Sequence, residues 1–341
     1  MSINFRRCIL NLIVLIIGSL GTFAHAVTIE RSNNLQTTVD KCSLTISGTI
    51  LKGDAAKIST VIEQDTSSIF NYPGIGVDEN YVVCLTGLGG NYLEGFRMAQ
   101  VFSRFFVATS VPDKASCLSA CAIAFLGGRK NFRSGEGFAP SRFLFPDSVL
   151  GFHAPQLSIA DGNYTQEAVL AAYKVALDAI SELQAHARDL YINKDLIREA
   201  IAHRGDNFYY VNTIDDLAYF DITLLGYRKR TIKEDTRRAA CWNAFHWHFF
   251  PQNKRFSSKE WSSVFSDNFN PLGNRRPAGT YVFTPFDGYV VCKVSMPKNA
   301  PNSGPVQVIL SESPDLSDPM VSIYTTPMIL MRGNRTLSST R

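Results

Sequence analysis

Three short stretches bring together residue types able to do acyl-transfer chemistry. Cys117-Leu118-Ser119-Ala120-Cys121 places a serine among small residues where a loop enters an apolar run. Small neighbours let a substrate backbone reach the hydroxyl, and a helix N-terminus favours developing negative charge. Leu85-Thr86-Gly87-Leu88-Gly89-Gly90 is a glycine turn at the end of an apolar run. Its glycines let backbone N–H groups turn toward a substrate oxygen, as an oxyanion hole requires. Gly151-Phe152-His153-Ala154-Pro155 ends a short β-type run on a histidine, the side chain that serves most often as a general base. Each stretch has a plainer reading when taken singly: an N-cap serine, a tight turn and a structural histidine.

The surrounding pattern supplies the elements that must position them. Residues 42–51 alternate as a strand, and 54–69 have helical spacing with Asp54 as a cap and Ala56, Ile58, Val61 and Ile62 inward. Residues 81–86 read as a strand buried on both faces. The glycine turn follows, then a helix over 92–105 and a strand over 106–110. Strand, turn, helix and strand make a βαβ unit, which implies parallel strands and a right-handed crossover. A helix is expected to begin near Ser119, a basic glycine-rich loop to cover 127–137, and a strand to run over 149–152. Over 165–191, Val169, Tyr173, Ala176, Ile180, Leu183, Ala187 and Leu190 follow a 4,3,4,3 spacing, whose default reading is core packing. Helices over 194–202 and 214–219 and a strand over 208–211 close this unit near Gly226.

Taken in combination, the three stretches resemble the Clp protease proteolytic subunit and its crotonase-like relatives, most of all periplasmic Clp-like proteins with a Cys-x-Ser-Ala-Cys box. The resemblance covers about residues 42–228 and implies an α/β fold, with a βαβ core on a parallel sheet. It implies Ser119 as nucleophile, His153 as base and Asp206, in Arg204-Gly205-Asp206-Asn207-Phe208, as the acid that orients His153. The N–H of Ala120 and that of Gly89 or Gly90 would hold the oxyanion. Gly205 interrupts the family's Arg-Asp pair, which leaves Asp215 and Asp216 as alternatives for the acid. Leu88 stands where the family commonly has proline, and the segment between Ser119 and His153 is longer and polar-basic, so it could cover the site.

Residues 1–26 have the three regions of a signal peptide: Arg6-Arg7, an apolar run from Cys8 to Leu20, and Ala24-His25-Ala26. Cleavage after Ala26 implies a periplasmic or secreted protein with no transmembrane span, because the apolar run is short of the ~20 residues a span needs. Six cysteines remain after cleavage: Cys42, Cys84, Cys117, Cys121, Cys241 and Cys292. An even number in an exported chain permits up to three disulfides. The expected fold suggests Cys42 with Cys84 and Cys241 with Cys292. Four-residue spacing on a regular helix is poor disulfide geometry, so a Cys117–Cys121 bridge stays open.

The chain has 341 residues, 45% hydrophobic and 19% charged, and a formal charge of +4, the balance of a folded protein. So slight a basic excess calls for no nucleic-acid partner. Residues 27–230 are expected to form the α/β domain and 240–341 a small β-rich domain, with strands over 280–284, 289–294 and 306–311. A polar linker lies between the basic clusters Arg228-Lys229-Arg230 and Arg237-Arg238, and residues 333–341 read as a frayed end. His246-Trp247-His248 could place two metal ligands on one face of a strand. Without a thiol or carboxylate set beside them, a surface aromatic cluster is the preferred reading, and no metal or cofactor is expected. Asn163-Tyr164-Thr165 and Asn334-Arg335-Thr336 are glycosylation sequons only in a host that glycosylates exported chains.

Together these readings predict an exported serine hydrolase, a peptidase acting on peptide or protein substrates. A cytoplasmic ATPase partner is excluded by compartment, and homo-oligomer formation is left open. The alternative is a non-catalytic Clp-like scaffold or binding protein of the cell envelope. A third reading places the function in the C-terminal aromatic region, as a peptide or glycan reader.

Overall fold

The structure is a computed structural model that describes residues 26–33, 41–67, 81–131, 138–155, 162–192, 194–228, 233–249, 280–283, 290–295, 306–313, 316–325 and 327–340. Residues 1–25 of the expected leader, 1–26, lie outside them.

The first unit runs β1 (Thr28–Arg31), β2 (Leu44–Ile50), α1 (Asp54–Ser67), β3 (Val82–Gly90), α2 (Tyr92–Arg104), β4 (Ala108–Val111), β5 (Ser116–Leu118) and α3 (Ala120–Phe125). A hairpin of β6 (Arg129–Asn131) and β7 (Phe138–Pro140) follows, then β8 (Arg142–Leu144), β9 (Val149–Phe152), α4 (Gln166–Ala185) and α5 (Lys194–Ala202). The unit ends with β10 (Tyr209–Tyr210), α6 (Ile214–Tyr219) and β11 (Ile222–Leu224).

The architecture is α/β, with a large, mostly parallel sheet in the order β10-β9-β5-β3-β4-β8-β11 and β2 joined to β3. Among the described residues, only β1 on β2 and β10 on β9 pair antiparallel in it. β3 is the long central strand. It continues past the expected end at Thr86 because Gly89 and Gly90 still pair with Thr49 and Ile50 of β2. Its start pairs with β4, whereas Gly87 pairs with Cys117 of β5. Leu44, Ile58, Leu85, Met98, Phe102, Phe125 and Phe152 fill the main core, and Val82, Cys84 and Ala108 pack on the other face with Phe143.

Two buried polar side chains hold this framework. Glu94 Oε1 accepts from the N–H groups of Gly53 and Ala55, so α2 satisfies backbone donors at the buried start of α1. The Arg142 guanidinium, fully buried, donates to the carbonyls of Leu126, Leu190 and Phe220. It thereby ties the ends of α3 and α6 to the chain after α4. Burial pulls its pKa down to about 10, so it stays charged at neutral pH.

The 165–191 stripe packs only in part. α4 is regular to Ala185, and Ala179, Leu183, Ala187 and Leu190 are buried. Val169 and Tyr173 are instead 51% and 60% exposed, so core packing fails for the N-terminal half.

Residues 229–232 of the expected linker lie outside the described residues. From Glu234 the chain forms a helix, α7 (Glu234–Phe249), that extends into the expected β-rich region and packs against an antiparallel sheet of β12 (Thr280–Phe283), β13 (Val290–Ser295), β14 (Val306–Ser311) and β15 (Pro319–Thr325). Residues 333–340 are also not frayed. Gly333 and Arg335 accept from the N–H groups of Asp215 and Ile214, Leu337 donates to Asn212, and Leu337 and Thr340 are buried.

Cys42 is bonded to Cys84, Cys117 to Cys121 and Cys241 to Cys292. The Cys117–Cys121 bridge escapes the helical-spacing objection because Cys117 lies on β5 and only Cys121 lies on α3, with the chain reversing at Ser119 between them. Three disulfides suggest an oxidising, extracytoplasmic compartment. Among the described residues no helix is long and apolar enough to cross a membrane.

Candidate active site

β5 and β9 are parallel neighbours with Leu118 opposite Gly151, so the residues that follow them, Ser119 and His153, emerge side by side at the strands' C-terminal ends. Loops at that edge of a parallel sheet are where α/β folds build their sites. The Ser119 N–H donates to the Gly151 carbonyl at 2.9 Å, which holds the two chains together at this point.

Ser119 has φ 56° and ψ −124°, a backbone conformation that is costly for a side-chain-bearing residue. It makes a sharp strand-to-helix turn of the kind that lifts a serine hydroxyl clear of its surroundings. Although it occupies the N-cap position of α3, its side chain makes no capping bond. The hydroxyl instead lies 2.6 Å from His153 Nε2. The N-cap explanation of Ser119 is therefore inconsistent with the observed geometry.

The third position differs from the expectation. His153 Nδ1 meets the carbonyl oxygen of Gly205 at 2.9 Å, not the carboxylate of Asp206. Asp206 is exposed at the cleft wall, one residue further along. Gly205 has φ 61°, a left-handed conformation that suits glycine, and this turn aims its carbonyl at the ring. The N–H of Ala154 donates to the carbonyl of His203, which anchors the same loop beside His153. A carbonyl can only accept, so Nδ1 must carry the proton and Nε2 must present its lone pair to the serine. Asp215 and Asp216 are committed elsewhere. Asp215 accepts from the Trp247 indole, while Asp216 accepts from Tyr209 and Thr213 and boxes the start of α6.

His153 is 8% exposed and lies against Phe208, ring centroids 4.5 Å apart. Burial pushes its pKa below the ordinary histidine value, opposed by the Gly205 bond and the Asp206 charge. Burial therefore favours the neutral ring, the form a general base needs.

Gly89, at φ 110°, passes very close to the serine: a methyl built on it would lie 2.6 Å from Ser119 Cβ. Gly90, at φ 136°, presses on the Ile50 carbonyl in the same way, and Asn91 then caps α2. Ala120 is the first residue of α3, where backbone N–H groups lack partners within the helix. The three residues expected to hold an oxyanion, Gly89, Gly90 and Ala120, therefore all lie beside Ser119 or on the strand end facing it.

A cleft of about 430 Å³ opens beside Ser119, with Gly90, Ser119, His153, Gly205 and Asp206 in its wall. The rest of the wall mixes apolar side chains, Leu88, Tyr92, Val175, Ala176, Ala179 and Phe208, with polar surface that includes Asn91, and Leu88 is 77% exposed. The Gly205 carbonyl is the participant that sequence reasoning missed, and the inserted glycine between Arg204 and Asp206 was its only signal. Residues 132–137 of the expected covering segment lie outside the described residues.

His246 and His248 do not form a ligand pair. They lie on helix α7, not a strand, and positions two apart on a helix point away from each other. His246 is buried against Trp242 and Tyr219, whereas His248 is exposed. Among the described residues no cluster of three or more histidine, cysteine or acidic groups could hold a metal.

No protein-family model matches this chain, and no curated protein matches it.

Proposed function

We propose that this protein is an exported serine hydrolase of Clp/crotonase-like architecture, an ATP-independent peptidase that works through an acyl-enzyme. The reading rests on one observation: the Ser119 hydroxyl, held on a strained turn, is bonded to His153 Nε2 at 2.6 Å instead of capping its helix.

Ser119 Oγ attacks the carbonyl carbon of a peptide or ester while His153 Nε2 takes the hydroxyl proton. The oxyanion that forms is stabilised by the N–H of Ala120 and by that of Gly89 or Gly90. Collapse expels the amine or alcohol, which leaves with the proton from His153, and Ser119 keeps the acyl group. Water, activated by the same ring, then releases the acid. The Gly205 carbonyl dipole orients His153 and stabilises its imidazolium form, with Asp206 adding only a longer-range charge. This arrangement is weaker than a buried carboxylate, so a modest turnover is expected. Leu88, Val175 and Phe208 offer apolar contacts to the side chain of an acyl group within an otherwise mixed cleft.

One observation favours a second reading, a binding scaffold: Leu170, Tyr173 and Leu177 leave apolar surface exposed on α4. Incubation with a p-nitrophenyl ester of an apolar N-acyl amino acid separates the two. The hydrolase reading expects nitrophenol release with a transient acyl adduct on the peptide containing Ser119, detected by mass spectrometry. Absence of both from folded, oxidised protein favours the scaffold.

A further inference from the structure

The Cys117–Cys121 bridge differs in kind from the other two. Cys42–Cys84 and Cys241–Cys292 close 42 and 51 residues of chain, whereas this bridge spans a sequence separation of four, with Cα atoms 5.2 Å apart. Stabilisation through the unfolded chain grows with loop length, so the short bridge contributes least to global stability. Its effect is local, and Ser119 lies at the centre of the loop it closes.

That loop needs support. Ser119 holds a costly backbone conformation, and α3, which begins immediately after it, has only six residues and no side-chain cap. A helix so short does not sustain itself. On one side Cys117 is fixed by the ladders to Gly87 and Leu150. On the other, Cys121 lies in the first turn of α3. The bond between their sulfurs ties that turn back to β5 across the nucleophile, and both residues are buried in the main core.

We propose that the Cys117–Cys121 disulfide is a positioning device for Ser119, so that activation of the nucleophile requires oxidation of these two thiols. This rests on the serine-hydrolase reading above. The oxidant is a disulfide donor, a small molecule or a protein, of an oxidising compartment. One cysteine thiolate attacks the donor disulfide, forming a mixed disulfide and releasing one donor thiolate. The second thiolate attacks the protein sulfur of that mixed disulfide and expels the other donor thiolate. Two electrons pass to the donor, and the two protons lost by Cys117 and Cys121 end on its thiols. Before that exchange the chain carries Ser119 and His153 without the clamp that aligns them, which keeps the hydrolase inactive in a reducing cytoplasm.

The test is the rate of inactivation by an alkyl fluorophosphonate, resolved into its maximal rate and half-saturating concentration. It is run on the oxidised wild-type chain and on a Cys117→Ala/Cys121→Ala variant whose other two disulfides are verified by mass mapping. Wild-type protein is also measured after phosphine reduction, with the 117–121 thiols verified by alkylation, and again after reoxidation; these samples decide the matter if the variant does not fold. The proposal expects the maximal rate to fall at least tenfold without the bridge, with half-saturation held within threefold and the rate restored by reoxidation. A maximal rate within twofold of the oxidised protein overturns it. So does a loss in which half-saturation worsens in step, because that is collapse of the cleft. If oxidised wild-type protein does not react at all, it is the serine-nucleophile reading that fails.

Discussion

Gly89→Ala adds one methyl group at the point where β3 passes the candidate nucleophile. The new Cβ would sit 2.6 Å from Ser119 Cβ, 3.0 Å from the Leu118 carbonyl oxygen and 3.1 Å from Ser119 Oγ. Ordinary contact begins at 3.4 Å, so the two chains must separate by about 0.8 Å, and the yielding side includes the serine turn. A displacement near 1 Å at reacting atoms costs roughly 10²-fold in rate, so labelling of Ser119 should slow by about 10–10²-fold. The φ of 110° adds backbone strain of about 1–3 kcal/mol. Gly53→Ala separates the two effects. At φ 95° it carries comparable strain, but nothing lies within 4 Å of the added methyl, and Gly53 does not line the cleft. Urea unfolding should therefore register a loss in both variants, while fluorophosphonate inactivation should slow only in Gly89→Ala. A folded Gly89→Ala protein that reacts within threefold of wild type would refute the claim that close glycine packing sets the serine's position.

Two further outcomes follow from the histidine. The neutral ring is the working base and burial lowers its pKa, so the rate should rise with pH along a limb centred below 6.5 and be lost as pH falls through it; a limb centred above 7 in the pH–rate profile would contradict the burial argument. Asp206→Asn should reduce the rate by less than about fivefold, against the ~10⁴-fold expected for loss of a bonded triad acid. Because the Asp206 charge raises the His153 pKa, the same variant should move the limb to lower pH, which the profile reads directly.

The parts of the site carried by side chains on regular elements were legible in the sequence. A short strand-type run ending at His153, and a serine among small residues before an apolar hexamer, correspond to β9 and to the β5–α3 turn. The third position was not legible, because a backbone carbonyl has no residue-type signature and Asp206 offered a more familiar partner one residue away. Helix α7, which begins in the expected linker and continues into the expected β-rich region, was hidden for a different reason. Ala239, Ala240, Cys241, Trp242, Asn243, Ala244, Phe245 and His246 are buried in succession, so no amphipathic period marks the helix. Residues 333–340 looked frayed because their anchorage is largely backbone hydrogen bonding to 212–215, which composition does not encode. The α4 stripe misled in the opposite direction, since its spacing is regular along its whole length while only its C-terminal half meets the core.

The central claim is that His153 activates Ser119. Intact-mass measurement of fluorophosphonate labelling, on folded and oxidised protein beside Ser119→Ala and His153→Ala, tests it most directly. The account predicts one adduct per chain, mapped to Ser119 and abolished by either substitution. An unlabelled wild-type protein, or an adduct that survives Ser119→Ala, would contradict it.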